Sequence, residues 1–134
     1  MKPHAFRLTK GMDLLKSIKE YCAEHNIRAG IVLSGVGCVY RAKIRDAGGV
    51  EINEIDEDLE IVSICGTVSK NRCHLHVSFS KRDLSVVGGH LVEGCMVNTT
   101  CEVVLLEIEN YIFEKEHDKS TGYDELKIIS NSRG

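Results

Sequence analysis

The chain has 134 residues, the length of one domain. Hydrophobic residues make up 43% and charged residues 28%, with a single proline and no low-complexity tract, which excludes disordered and fibrous classes. Seventeen Lys+Arg against twenty Asp+Glu leave a net charge of −3, which counts against the broad basic surface that dominates affinity for DNA.

In chain order, His4 to Leu8 reads as a short first strand. Met12, Leu15, Ile18 and Cys22 then recur at helical spacing, with Leu14 and Tyr21 widening the stripe and Lys16, Lys19 and Glu20 opposite it. This predicts an amphipathic helix over 12–25, with Thr9 as its N-cap and Asn26 as its left-handed stop. From Ile27 onward the pattern turns to strands. Ala29–Leu33 is an apolar run, Val39–Arg45 and Val50–Ile55 alternate, and Leu59–Val68 is rich in β-branched residues. Gly35 and Gly37 permit a bulge or crossing between them. The run starting at Gly35 fails G-x-G-x-x-G at its sixth position, and no P-loop lysine motif is present. Cys73–Ser80 and Cys101–Ile108 are the clearest later strands. Tyr111–Lys115 and Glu125–Ile129 flank a polar turn at 118–122, and 131–134 reads as a frayed tail. One helix followed by seven or more short strands predicts an α+β protein with helical cover on one face of its sheet.

The N-terminus lacks the apolar core of a signal peptide, and no run approaches the ~20 apolar residues of a membrane span. The expected location is the cytoplasm. Six cysteines (Cys22, Cys38, Cys65, Cys73, Cys95 and Cys101) sit at wide, irregular spacing without C-x-x-C. They are expected to be buried, reduced thiols rather than disulfide or zinc-ribbon ligands.

The most informative segment is Cys73-His74-Leu75-His76-Val77. On a strand, alternate side chains share a face, so His74 and His76 project together. Their imidazoles could converge on one metal ion, although two surface histidines are the commoner fate of such a pair. Gly88-Gly89-His90 follows, and its glycines permit a sharp turn or close approach that could bring a third imidazole to the same place. Three histidines with an open fourth position form the donor set of a catalytic zinc site. His25 falls in the last helical turn, and His4 and His117 are expected to be exposed. Glu102 opens an apolar strand and is a candidate general base, with an ordinary exposed strand residue as the plainer reading. The densest basic cluster, Lys70, Arg72, Lys81 and Arg82, fits a solvated loop or strand edge.

The run Leu59 to Val68, then His74-Leu75-His76, then Val87-Gly88-Gly89-His90-Leu91, resembles the PPC (plants-and-prokaryotes conserved) domain. Arg7-Leu8 with Gly11 and Asp13, Ala29-Gly30 with Ser34-Gly35-Val36-Gly37, Thr100 to Val104, and Thr121 to Leu126 extend the likeness over roughly residues 4–130. The resemblance implies an α+β fold with a central, largely antiparallel sheet, assembled as a homotrimer. It implies that His74, His76 and His90 gather around a divalent metal, with zinc the expected ion. It also implies a DNA-associated or regulatory role. The Arg-Gly-Arg centre of the AT-hooks that accompany plant members is absent, and Asp58-Leu59-Glu60-Ile61 lacks their Arg-Phe. Two other readings stand beside this one. In the first, a metal-dependent enzyme activates water or polarises a carbonyl, with Glu102 as acid/base. In the second, a binding module uses the histidines only to satisfy hydrogen bonds.

Overall fold

The structure is a computed structural model and describes residues 1–130. The expected frayed tail at 131–134 lies outside the described residues. The chain opens with strand β1 (Lys2–Thr9) and helix α1 (Leu14–Glu24). Thr9 is still in the strand, and the N-cap is Asp13. One Asp13 carboxylate oxygen accepts from the Lys16 backbone N–H at 3.0 Å, and the other accepts from Gly94 N–H at 2.7 Å. Asp13 therefore caps the helix and ties its start to a distant turn, which a residue inside a paired strand cannot do. Asn26 ends the helix in the left-handed region, at φ 50°. Leu14, Leu15, Ile18 and Cys22 face the core.

The remaining elements are strands: β2 (Gly30–Arg45), β3 (Ile52–Ile55), β4 (Leu59–Val68), β5 (Cys73–Ser80), β6 (Val86–Leu91), β7 (Met96–Glu107), β8 (Tyr111–Asp118) and β9 (Tyr123–Ser130). The two short runs expected at 29–33 and 39–45 are one 16-residue strand, β2. Register shifts between Val32 and Ser34, Gly37 and Cys38, and Val39 and Arg41 bend it, as bulges do. Its length gives each edge two partners: β4 and then β3 along one, β7 and then β6 along the other. Every pairing is antiparallel. Because β4 pairs with β5, and β5 with β6, the β2–β6 contact closes a ring of four strands.

This closure overturns the expected α+β class with helical cover. The structure is 62% strand and 8% helix, a mostly antiparallel β protein with one short helix. An 11-residue helix cannot roof such a sheet. The sheet instead buries its own inner face, where Leu75, Val77 and Phe79 of β5 pack with Val39, Leu59, Leu91, Val97 and Leu105. The helix fills only the gap beside β5, its main neighbour. No helix among the described residues is long and apolar enough to cross a membrane.

His4, expected to be exposed, is buried. Its Nε2 lies 2.8 Å from Glu107 and its Nδ1 3.0 Å from the Tyr21 hydroxyl, so it links β1, β7 and α1. The β8–β9 hairpin forms a separate two-stranded sheet. It is fixed to the body by the Phe113 N–H donating to Arg28 O at 2.9 Å and by the Ser69 hydroxyl donating to Phe113 O at 3.0 Å.

Gly88-Gly89 is no turn but the middle of β6, and close approach is what the glycines permit. A Cβ on Gly88 would stand 2.5 Å from Val77 O, and one on Gly89 would stand 2.6 Å from Arg45 O. Gly89→Ala should therefore push β6 away from β2 and destabilise the protein by about 1–3 kcal/mol in urea unfolding. Gly48→Ala, where the nearest neighbour is a side-chain atom at 3.5 Å, should change stability by less than about 0.5 kcal/mol. Equal stabilities for the two variants would show that the ring does not depend on that approach.

Candidate metal centre

Alternation along β5 turns Leu75 and Val77 inward, leaving His74 half-buried and His76 exposed on the outer face. Register does the rest. His90 on β6 stands directly opposite His76, and directly cross-strand residues share a face. On the other side of β6, Arg45 of β2 pairs with His90. The three imidazoles meet with ring centres 5.1 Å (His74–His76), 5.1 Å (His74–His90) and 5.6 Å (His76–His90) apart. One ring nitrogen from each lies within 4.8 Å of the other two. Residues far apart in sequence thus form one cluster, which no local pattern could establish.

Electrostatics disfavours the charged form of His74 and His90. Burial, then the charge of Arg72, lowers the pKa of His74. Burial, then Arg45, pushes His90 down to about 4. Neutral imidazoles offer lone pairs without first shedding a proton, the state a metal ligand needs. The residues therefore fit a divalent ion by donor type and number, with a fourth position open.

Around the histidines lie two adjoining hollows. One, of about 260 Å³, is lined by Arg45, Arg72, His74, His90, Tyr123 and Glu125, among others. The second, of about 610 Å³, adds the Asp46–Gly49 turn, His76 and Gly88-Gly89. A larger hollow of about 730 Å³ lies elsewhere, among Asp56, Glu57, Asp58, Lys81 and Arg82, where Lys81 pairs with Glu57 and Arg82 with Asp58. It holds no histidine, so size alone points away from the chemistry.

Sequence reading assigns Arg72 to a solvated loop or strand edge and does not single out Arg45 or Tyr123. Arg72 donates from Nη2 to His74 Nδ1 at 3.3 Å and to the Asp124 carbonyl at 3.4 Å. The Arg45 guanidinium sits 5.7 Å from the centre of the Tyr123 ring. Arg72 could have been found, since it precedes His74 by two and strand alternation puts it on the same face. Arg45 and Tyr123 come from β2 and β9 and carry no local signal.

Other candidates disperse. Glu102 is exposed on β7, in register with Arg7 and Val36, and lines neither histidine hollow. His117 is exposed and faces Asp124 at 3.3 Å, and His25 caps α1. The basic cluster splits to opposite ends of β5, where Lys70 donates to Asn26 and Lys81 and Arg82 meet carboxylates. All six cysteines are free thiols, and three are buried as expected. Cys65 is exposed, because β4 turns it to the outer face opposite His76.

Comparison with known proteins identifies the fold and the family. The chain is 34% identical over 128 residues to a protein named bifunctional protein GlmU from Synechococcus sp. (strain JA-3-3Ab). That match covers 96% of this chain but only 21% of the relative, so the chain spans about a fifth of the relative's length. A hypothetical protein from Salmonella cholerae-suis superposes with a TM-score of 0.93 at 28% identity, covering 98% of this chain and 95% of that one. A metal-containing protein from Archaeoglobus fulgidus superposes with a TM-score of 0.80 at 33% identity, covering 95% and 94%. A candidate DNA-binding protein from Bacteroides thetaiotaomicron has a TM-score of 0.82 over 93% and 91%, but at 18% identity it shares the fold alone. The profile of the Plants and Prokaryotes Conserved (PCC) domain matches residues 1–109, which include all three clustered histidines. The chain belongs to the Plants and Prokaryotes Conserved domain family.

Proposed function

We propose that this protein binds one divalent metal ion per subunit, zinc before others, through His74, His76 and His90, and that it works as a homotrimer. The convergence of three imidazole nitrogens within 4.8 Å of one another carries the metal reading. The metal-containing relative from Archaeoglobus fulgidus, at 33% identity, supports it. When bound, such an ion supplies a Lewis-acidic centre with one position free for a ligand. This chain's residues hold the three imidazoles in register beside a cavity of ligand size, and keep His74 and His90 from protonating.

A trimer is supported by apolar side chains on the outer faces of neighbouring strands. Leu33 and Val36 of β2 are 58% and 52% exposed, and Val62 of β4 is 56% exposed. Bulky aliphatic groups gathered on adjacent strands mark a surface that a second subunit covers. DNA is the weaker partner. The net charge is −3, and the basic cluster of Lys70, Arg72, Lys81 and Arg82 is split between the two ends of β5, with Lys81 and Arg82 paired to carboxylates. For metal-dependent catalysis Glu102 is poorly placed within one subunit, and the acid/base groups that line the histidine hollows include Asp46, Tyr123, Asp124 and Glu125.

Protein purified without an affinity tag should carry about one zinc or similar ion per subunit by emission spectrometry. His74→Ala/His76→Ala should lose it, and chelation should lower the melting temperature of the wild type but not of that variant. A wild type that takes up no metal after reconstitution would overturn the metal reading. Light scattering should give three times the 14.9 kDa subunit mass. Leu33→Glu/Val62→Glu should fall to one subunit with its secondary structure intact. A wild type running as a monomer at micromolar concentration would remove the trimer.

A further inference from the structure

We propose that the cavity beside the histidines binds a small oxyanion, a carboxylate or phosphate group, clamped by Arg45 and Arg72. This rests on the metal reading above and names the ligand class of the same site. Both guanidiniums line the 260 Å³ hollow with His74 and His90. Among the described residues the arginines in ion pairs are Arg82, 3.1 Å from Asp58, and Arg41, whose Nε stands 4.0 Å from Glu54, has no hydrogen-bond acceptor, and lines neither histidine hollow. Arg45 and Arg72 have no such partner, and Arg45 Nε and Arg72 Nη1 are buried without any acceptor. Leaving a charged donor buried and unmatched costs more than the hydrogen bond itself returns. Two such donors at one cavity mark an anion's place.

The cavity's own carboxylates do not fill that place. Asp124 is turned to His117 at 3.3 Å, and the contact it offers Arg72 is its backbone carbonyl. Glu125 lines the hollow but forms no ion pair with either arginine among the described residues. Tyr123 holds the Arg45 guanidinium against its ring, orienting the fork without spending its donors.

The hydrogen bond from Arg72 to His74 Nδ1 links this site to the metal. A neutral imidazole has one lone pair to accept with and one N–H to donate. If a metal takes Nδ1, the Arg72 contact is displaced. If it takes Nε2, the proton resides on Nδ1, which can no longer accept. Either way metal ligation releases Arg72 Nη2 toward the cavity, beside an ion whose charge three neutral ligands leave uncompensated. Metal and anion should therefore bind with positive coupling, each tightening the other.

Calorimetry tests this with the metal-loaded full chain, titrated separately with inorganic phosphate and with malonate. Metal content is measured on the same samples, and the metal-free protein is titrated alongside. We expect saturable binding of at least one anion, weaker without metal. Arg45→Gln/Arg72→Gln should keep its metal and bind about tenfold more weakly or worse, whereas Arg41→Gln should bind as the wild type. Whichever of phosphate and malonate binds tighter identifies the group the site is built for. If the double variant does not fold, the single Arg45→Lys and Arg72→Lys variants carry the test, since lysine keeps the charge and loses the planar fork. Metal-loaded protein that binds neither anion, or that binds equally well in the arginine variants, overturns the anion site and leaves the metal site standing. Wild type without metal after reconstitution overturns both.

Discussion

Two consecutive positions without a Cβ let β6 lie between β5 and β2, and the rest of the molecule follows from that approach. The carbonyls of Val77 and Arg45 occupy the space that side chains at Gly88 and Gly89 would need. With β6 seated, the sheet closes on itself and supplies both walls of its own core, so one short helix suffices as filler. The same seating sets the register that stands His90 between His76 and Arg45. Core and candidate site are therefore one construction, and neither can be loosened without the other.

Much of this was legible in the sequence, and the parts that were not share a cause. The helix stripe from Leu14 to Cys22, the strands at 59–68 and 73–80, and the outward pairing of His74 with His76 follow from periods that local residues carry. Family resemblance added His90 to that pair, which periodicity alone could only suggest. What failed was decided by long-range pairing. Bulges make β2 a single bent strand, though each interrupts the alternation that would announce it. The cap fell to Asp13 rather than Thr9 because its second oxygen answers Gly94, eighty-one residues away. His4 looks polar in its own neighbourhood and is buried only because Tyr21 and Glu107 meet it there. The class itself was misjudged because sheet closure has no signature in any short window.

Global charge misleads in the same way. A chain with net charge −3 gives no hint of two arginines that face one hollow without an ion-pair partner, yet several of the chain's other charges are already paired. Arg82 and Lys81 meet Asp58 and Glu57, Arg41 meets Glu54, and Asp124 faces His117. Arg45 and Arg72 remain, unmatched and side by side with the histidines. Attraction for an anion depends on the unpaired charges within a Debye length, about 8 Å at physiological salt, and hardly on the sum over the chain.

The division of the site along the chain then acquires meaning. All three histidines and both arginines lie within residues 1–109, the span matched by the family profile, whereas Tyr123 comes from the hairpin beyond it. That hairpin is a separate small sheet, fixed to the body through Phe113 and reaching the cavity at Tyr123 and Glu125. The ligands of the proposed ion and the clamp for its anion thus lie within the span that the family profile matches, while one wall of the hollow is carried by the hairpin that follows it. Because that hairpin is a sheet of its own, a substitution at Tyr123 or Glu125 can change the size and polarity of what fits beside the ion without disturbing the register that assembles the imidazoles.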